Sequence, residues 1–195
     1  MRVKYLTDKQ AVSFSDHEKL RQEIELSLDV LFQDIANCTA FIDRRHSDIS
    51  SDTAHPAKRA NHAFGAEIVN GIYRLLDRGE DSQSLPALVS GLQPSLDPMK
   101  WASLKQSLNN LLVSNSAQKL IVYRTRYTAH SVPTPRDIKR FTEDADVHYL
   151  TLSELLELAE NIAKMLNIIR ISIGFEPLPF SEVFDEFYEL ASSYW

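Results

Sequence analysis

The sequence predicts an all-α protein, a bundle of amphipathic helices joined by short connections. Three observations carry this. Only 5 of the 195 residues are Gly, too few for the turns of a strand-rich sandwich or barrel, while Leu and other good helix formers recur throughout. Apolar residues return at steps of three and four over long stretches, which lays one stripe along one side of a helix. These stretches open on residues that cap helices and close on Gly or Pro. No segment shows the strict alternation of a half-buried strand. The partly β-branched ISIGF at 171–175 prolongs a helical stripe instead.

Ser15 and Glu18 have capping-box spacing and predict the start of a first long helix. Leu20, Ile24, Leu28, Leu31, Ile35, Cys38 and Ile42 form its stripe, and it frays near Arg44-Arg45-His46. Residues 47–55 are small and polar and predict a loop. Pro56 suits the first turn of the next helix, whose buried face is Phe64, Ile68, Ile72 and Leu75. Gly79, just past Asp77-Arg78, is expected to cap its C-terminus. After the loop GEDSQ, Ser84-Leu85-Pro86 opens a short helix carrying Leu88, Val89 and Leu92.

Asp97-Pro98 places a capping side chain before a proline in the first helical position. Trp101, Leu104, Leu108 and Leu111 form the stripe that follows, and Ser114-Asn115-Ser116 weakens it. Helical character resumes with Leu120, Tyr123 and Tyr127 and ends near His130, ahead of Pro133 and Pro135. Residues 131–150 read as an ordered loop or mixed segment. Thr151 and Glu154 form a second capping box. Leu152, Leu155, Ala159, Ile162, Leu166, Ile169 and Ile173 continue from it, and Gly174 is placed to stop the helix. Pro177 and Pro179 mark a linker, and Ser181 opens a terminal helix with Phe184 and Tyr188 on its inner face.

A chain of 195 residues is the size of one domain and long enough to bury a core without disulfide or metal staples. Residues 1–195 are read as one unit, with a core of about 15–175 and a helical tail at 180–195. That tail is rich in aromatics (Phe180, Phe184, Phe187, Tyr188, Tyr194, Trp195), and core packing or a partner contact explains them equally well. With 21 basic and 27 acidic residues the net charge is −6. The overall field therefore does not attract nucleic acid, and any such site must be local.

The single cysteine, Cys38, excludes an intramolecular disulfide and any CxxC motif, and its apolar neighbours make it a small buried hydrophobe. Such usage fits a reducing cytosol. No apolar run approaches the ~20 residues of a membrane span, and MRVKYLTDKQ lacks the apolar region of a signal peptide. A cytoplasmic protein without a membrane partner is the expectation.

The usual chemical motifs are missing. None of His17, His46, His55, His62, His130 and His148 lies in HExxH, so no metal site is expected. Neither a GxxxxGK[ST] phosphate loop nor a GxGxxG turn occurs, and no cofactor is expected. The GxSxG of a serine nucleophile is absent too. Asp77, Glu80 and Asp81 read as solvated surface charges.

One stretch differs. Between 119 and 140 lie Lys119, Arg124, Arg126, Arg136, Lys139 and Arg140 against one acid, Asp137, a local +5 that leaves −11 for the remainder. Tyr123 and Tyr127 are interleaved with these cations. Aromatic rings stack on unpaired bases, and arginine holds phosphate through two parallel hydrogen bonds. His130 is the side chain here whose ordinary pKa, near ~6.5, permits proton transfer at cellular pH. An arginine and a histidine suffice for RNA cleavage without a metal: one steadies the developing phosphate charge, the other moves a proton. Spacing alone leaves a plainer alternative open. Arg124 and His130 diverge by about 120° on an ideal helix, Arg126 and His130 are simple i, i+4 neighbours, and Tyr123 and Tyr127 fit a core face as well as a binding face.

Arg124 and His130, with five residues between them, resemble the R-x(4–6)-H motif of the HEPN superfamily. The string YRTRYTAHS is similar to the "RNKxxAHS" signature of its abortive-infection AbiU-like branch, and IYRLLDR followed by SLPAL is similar to that branch's "LxRLxD…slxxLl" segment. The resemblance covers roughly residues 15–175. Thr125 stands where the superfamily usually carries Asn, and Val132 where a regulatory variant carries Tyr. The resemblance implies a HEPN-like four-helix-cored bundle with additional short helices. It implies a homodimer in which two motifs face one another. It also implies metal-independent endoribonuclease activity in a toxin or abortive-infection, antiviral defence setting, with RNA as substrate and an antitoxin protein as a possible partner. Arg124 and His130 are the implied catalytic pair, and Thr125, Arg126, Tyr127 and Ser131 the implied substrate contacts. The alternative is a non-catalytic module of the same shape that binds nucleotide, RNA or a protein partner.

Overall fold

Each apolar stripe needs a partner surface, and among the described residues seven helices supply one another's. The computed structural model describes residues 14–45, 54–79, 82–124 and 150–194, with the side chains of 14–17, 44–45 and 54–64 outside that description. The helices are α1 (Phe14–Arg45), α2 (Ala54–Leu76), α3 (Leu85–Gly91), α4 (Pro98–Leu112), α5 (Asn115–Tyr123), α6 (Leu152–Ser172) and α7 (Phe180–Tyr194), with a 3₁₀ turn at Gln93–Ser95. There is no strand among the described residues, so the chain is all-α. No helix among them is long and apolar enough to cross a membrane.

One apolar cluster draws on all seven helices. Ile24, Leu28, Ile35, Ile68, Ile72, Leu88, Leu120, Ile162, Leu166 and Ile169 are wholly buried within it. These are the stripes the sequence predicts, with Val69 and Leu76 widening the buried face of α2. Cys38 is buried as expected, and burial pushes its thiol pKa up.

The caps account for most helix boundaries. The Ser84 hydroxyl accepts from the Ala87 N–H at 3.3 Å, and Asp97 Oδ1 accepts from Met99 N–H at 2.9 Å and Lys100 N–H at 3.3 Å. The weak point at Ser114 is a true break, where its side chain caps α5 by accepting from Ala117 N–H at 3.4 Å. Thr151 and Glu154 form both bonds of the capping box. Gly174, at φ +87°, ends α6. Phe175 N–H donates to Arg170 O at 2.8 Å and Gly174 N–H to Ile171 O at 3.1 Å, the paired bonds of a Schellman motif.

Some boundaries differ from the sequence reading. α1 already includes Phe14, so Ser15 has helical backbone where a cap needs an extended one. α2 takes in Ala54 and His55 from the expected loop. It ends at Leu76, and Gly79 does not cap it: among the described residues Gly174 alone has positive φ. Asp77 Oδ1 accepts the Gly79 N–H at 3.3 Å and turns the chain without a left-handed residue. α7 starts at Phe180 rather than Ser181.

The aromatic tail packs inward. Phe180 stacks on Phe32 with centroids 6.2 Å apart, and the Tyr188 hydroxyl donates to Asp43 Oδ2 at 2.8 Å. Both contacts advance along the two helices in the same sense, so α7 runs parallel to α1. Phe184 and Tyr188 stack on each other at 6.1 Å, as the inner-face reading expects, whereas Tyr194 is exposed. Trp195, Phe64, His46 and residues 47–53, 80–81 and 125–149 lie outside the described residues or side chains.

Candidate functional site

α5 is nine residues long and delivers Arg124 at its C-terminal end. Ala117 and Leu120 are its buried positions and fix its roll against the core. Arg124 keeps right-handed helical backbone, φ −59° and ψ −46°.

The Arg124 side chain is half-buried, and its guanidinium lies over the ring of Tyr73 on α2, 4.3 Å from the centroid. That is within the range of a cation–π contact. Tyr73 is half-buried and packs against the apolar cluster, flanked in sequence by wholly buried Ile72. Arg74, in the last turn of α2, and Arg78, just beyond it, are exposed. Cations therefore gather at the C-terminal ends of both α2 and α5.

Lys119, one turn earlier on α5, is committed elsewhere. Its ammonium donates to Glu154 Oε1 at 2.7 Å, at the start of α6. Glu154 Oε2 meanwhile accepts the Thr151 N–H at 2.9 Å. The Lys119 hydrogen bond first, and the Thr151 N–H second, hold the Glu154 carboxyl below its ordinary pKa. One of the six island cations is thus neutralised within the fold. Tyr123 is half-buried and packs against the apolar cluster, which favours the core reading of that ring.

The other sequence-predicted site residues, Thr125, Arg126, Tyr127, His130 and Ser131, lie outside the described residues, as do Arg136, Asp137, Lys139 and Arg140. Of the implied pair, Arg124 is described and His130 is not. No group of three or more His, Cys, Asp or Glu among the described residues can hold a metal ion. A groove of about 230 Å³, lined by residues such as Phe32, Ala163, Asn167, Leu178 and Phe180, contains none of the predicted site residues.

Two features escaped the sequence reading. Tyr73 is the residue that receives Arg124, and its place beside the buried face of α2 was a signal that the ring would point partly inward. The second is a charged cluster inside the bundle. Glu25 Oε1 accepts from both Arg21 and Arg170, and both guanidiniums lie over Phe175, at 4.2 and 5.6 Å. Arg21 is only 5% exposed and Arg170 8%. Their spacing from Ile24 and Leu166 on the apolar stripes, three and four residues, was the available sign.

No known protein family, no curated protein and no solved structure matches this chain.

Proposed function

We propose that this chain is a metal-independent endoribonuclease of HEPN type, acting as a toxin or in abortive-infection defence, with its site completed across a homodimer. The observation that carries the reading is the Arg124-x5-His130 string, whose arginine is held at the end of α5 against Tyr73 in an all-α chain. Arg124 binds the scissile phosphate and stabilises the charge that builds on it. His130 takes the 2′-hydroxyl proton or protonates the leaving 5′-oxygen, with water serving the complementary step. The 2′-oxygen forms a bond to phosphorus as the bond to the 5′-oxygen breaks. The products are a 2′,3′-cyclic phosphate and a 5′-hydroxyl. Thr125, Arg126, Tyr127 and Ser131 flank the pair and contact the RNA strand. A cytoplasmic setting, no cofactor and an antitoxin protein as possible partner go with this reading.

The purified full chain, incubated with cellular RNA in excess EDTA, tests it through the ends of the fragments. Cyclic-phosphate and 5′-hydroxyl ends are expected; intact RNA contradicts it.

A second reading, a non-catalytic helical module that binds nucleotide, RNA or a protein, has its own observation. Lys119 is spent on Glu154 and Arg124 contacts Tyr73, so two of the island's cations serve packing between helices. RNA bound but uncut in the same experiment favours the module.

A further inference from the structure

We propose that Tyr73 is the positioning residue for Arg124, its ring face fixing the plane of the guanidinium that meets the phosphate; the inference rests on the endoribonuclease reading above. An arginine at a helix end ordinarily samples many rotamers, and a misplaced phosphate ligand forfeits much of its effect on the transition state. Tyr73 limits that freedom. Tyr73 is packed against the apolar cluster, so the surface under Arg124 is firm. The 4.3 Å separation places the guanidinium over the face of the ring.

The choice of partner matters chemically. A carboxylate would orient the arginine but cancel its charge, as Glu154 does for Lys119. A contact with an aromatic face orients a cation and does not itself neutralise it. Contact over the face also draws on none of the in-plane N–H directions through which arginine grips a phosphate bidentately. Arg74 and Arg78 are exposed at the same end of α2.

The test measures kcat and KM for a single-stranded RNA oligonucleotide with the full chain. Tyr73→Leu is expected to lower kcat about 10–100-fold, in line with the loss from a misplacement of about 1 Å, with KM within about threefold of wild type. Tyr73→Phe keeps the ring face and is expected to recover kcat to within about threefold of wild type. Tyr73→pentafluorophenylalanine keeps the ring's shape but reverses its quadrupole, and decides the matter should Tyr73→Leu fail to fold. It is expected to lose kcat as Tyr73→Leu does. Wild-type kcat in the fluorinated or Leu variant, or a Phe variant as impaired as Leu, overturns the inference alone. A wild-type protein that cleaves no RNA overturns the endoribonuclease reading and this inference with it.

Discussion

Lys119 and Glu154, 35 residues apart in sequence, share a 2.7 Å hydrogen bond that ties the last turns of α5 to the first turn of α6. The same carboxylate closes the capping box with Thr151. Its pKa is lowered in the fold, so its charged form is favoured there, and the resulting stability is complete above the ordinary value of 4.5 and is lost as pH falls below that through the folded value. Glu154→Gln keeps a capping-box residue at this position but removes the charge facing Lys119, and is expected to cost about 0.5–1 kcal/mol at neutral pH. Urea unfolding at pH 7 and at pH 3.5 checks this, and the gap between variant and wild type should narrow at the lower pH.

The Arg21–Glu25–Arg170 cluster makes a sharper stability prediction. Glu25 is the shared acceptor for two nearly buried guanidiniums, and Arg21 Nε has no partner among the described residues. Glu25→Gln strands both cations and is expected to destabilise by about 3–5 kcal/mol. Replacing all three with apolar residues of similar volume (Arg21→Met, Glu25→Leu, Arg170→Met) is expected to be neutral or stabilising, because three desolvation costs disappear together. Denaturant midpoints of the two variants, measured side by side, decide it.

Gly174 isolates a backbone effect. A Cβ at this position meets no heavy atom within 4 Å, so only its φ of +87° resists substitution. Gly174→Ala is expected to cost about 1–2 kcal/mol, and Gly174→Asn less, since Asn tolerates this conformation. Thermal melts of both variants test the ordering.

What the sequence made legible was local. The stripe of α6, its Thr151–Glu154 start and its Gly174 stop all lie within a few residues of what they control, and all stand where expected. Gly79 was misread because several devices can end a helix, and the Asp77 side chain replaced the left-handed glycine there. Contacts between helices were not legible. Arg170 meets Glu25 across 145 residues, and Arg124 meets Tyr73 on another helix, so neither partner follows from spacing. The candidate site shows the same division. Arg124 is a candidate from its motif alone, while the pairing of Lys119 with Glu154 needed the fold.

The proposed dimeric site predicts complementation. If one Arg124 and one His130 from different chains serve one cleft, mixing Arg124→Ala with His130→Ala protein restores cleavage that neither shows alone. Subunit exchange followed by an RNA gel reads this out, and two variants that remain inactive when mixed count against a shared cleft.

The central claim is that Arg124 and His130 together cut RNA. Single-turnover rates of RNA cleavage in EDTA, compared among wild type, Arg124→Ala and His130→Ala with helicity checked by circular dichroism, test it most directly. The account predicts losses of about 10²–10⁴-fold in each variant with unchanged helicity. Wild-type rates in both variants contradict it.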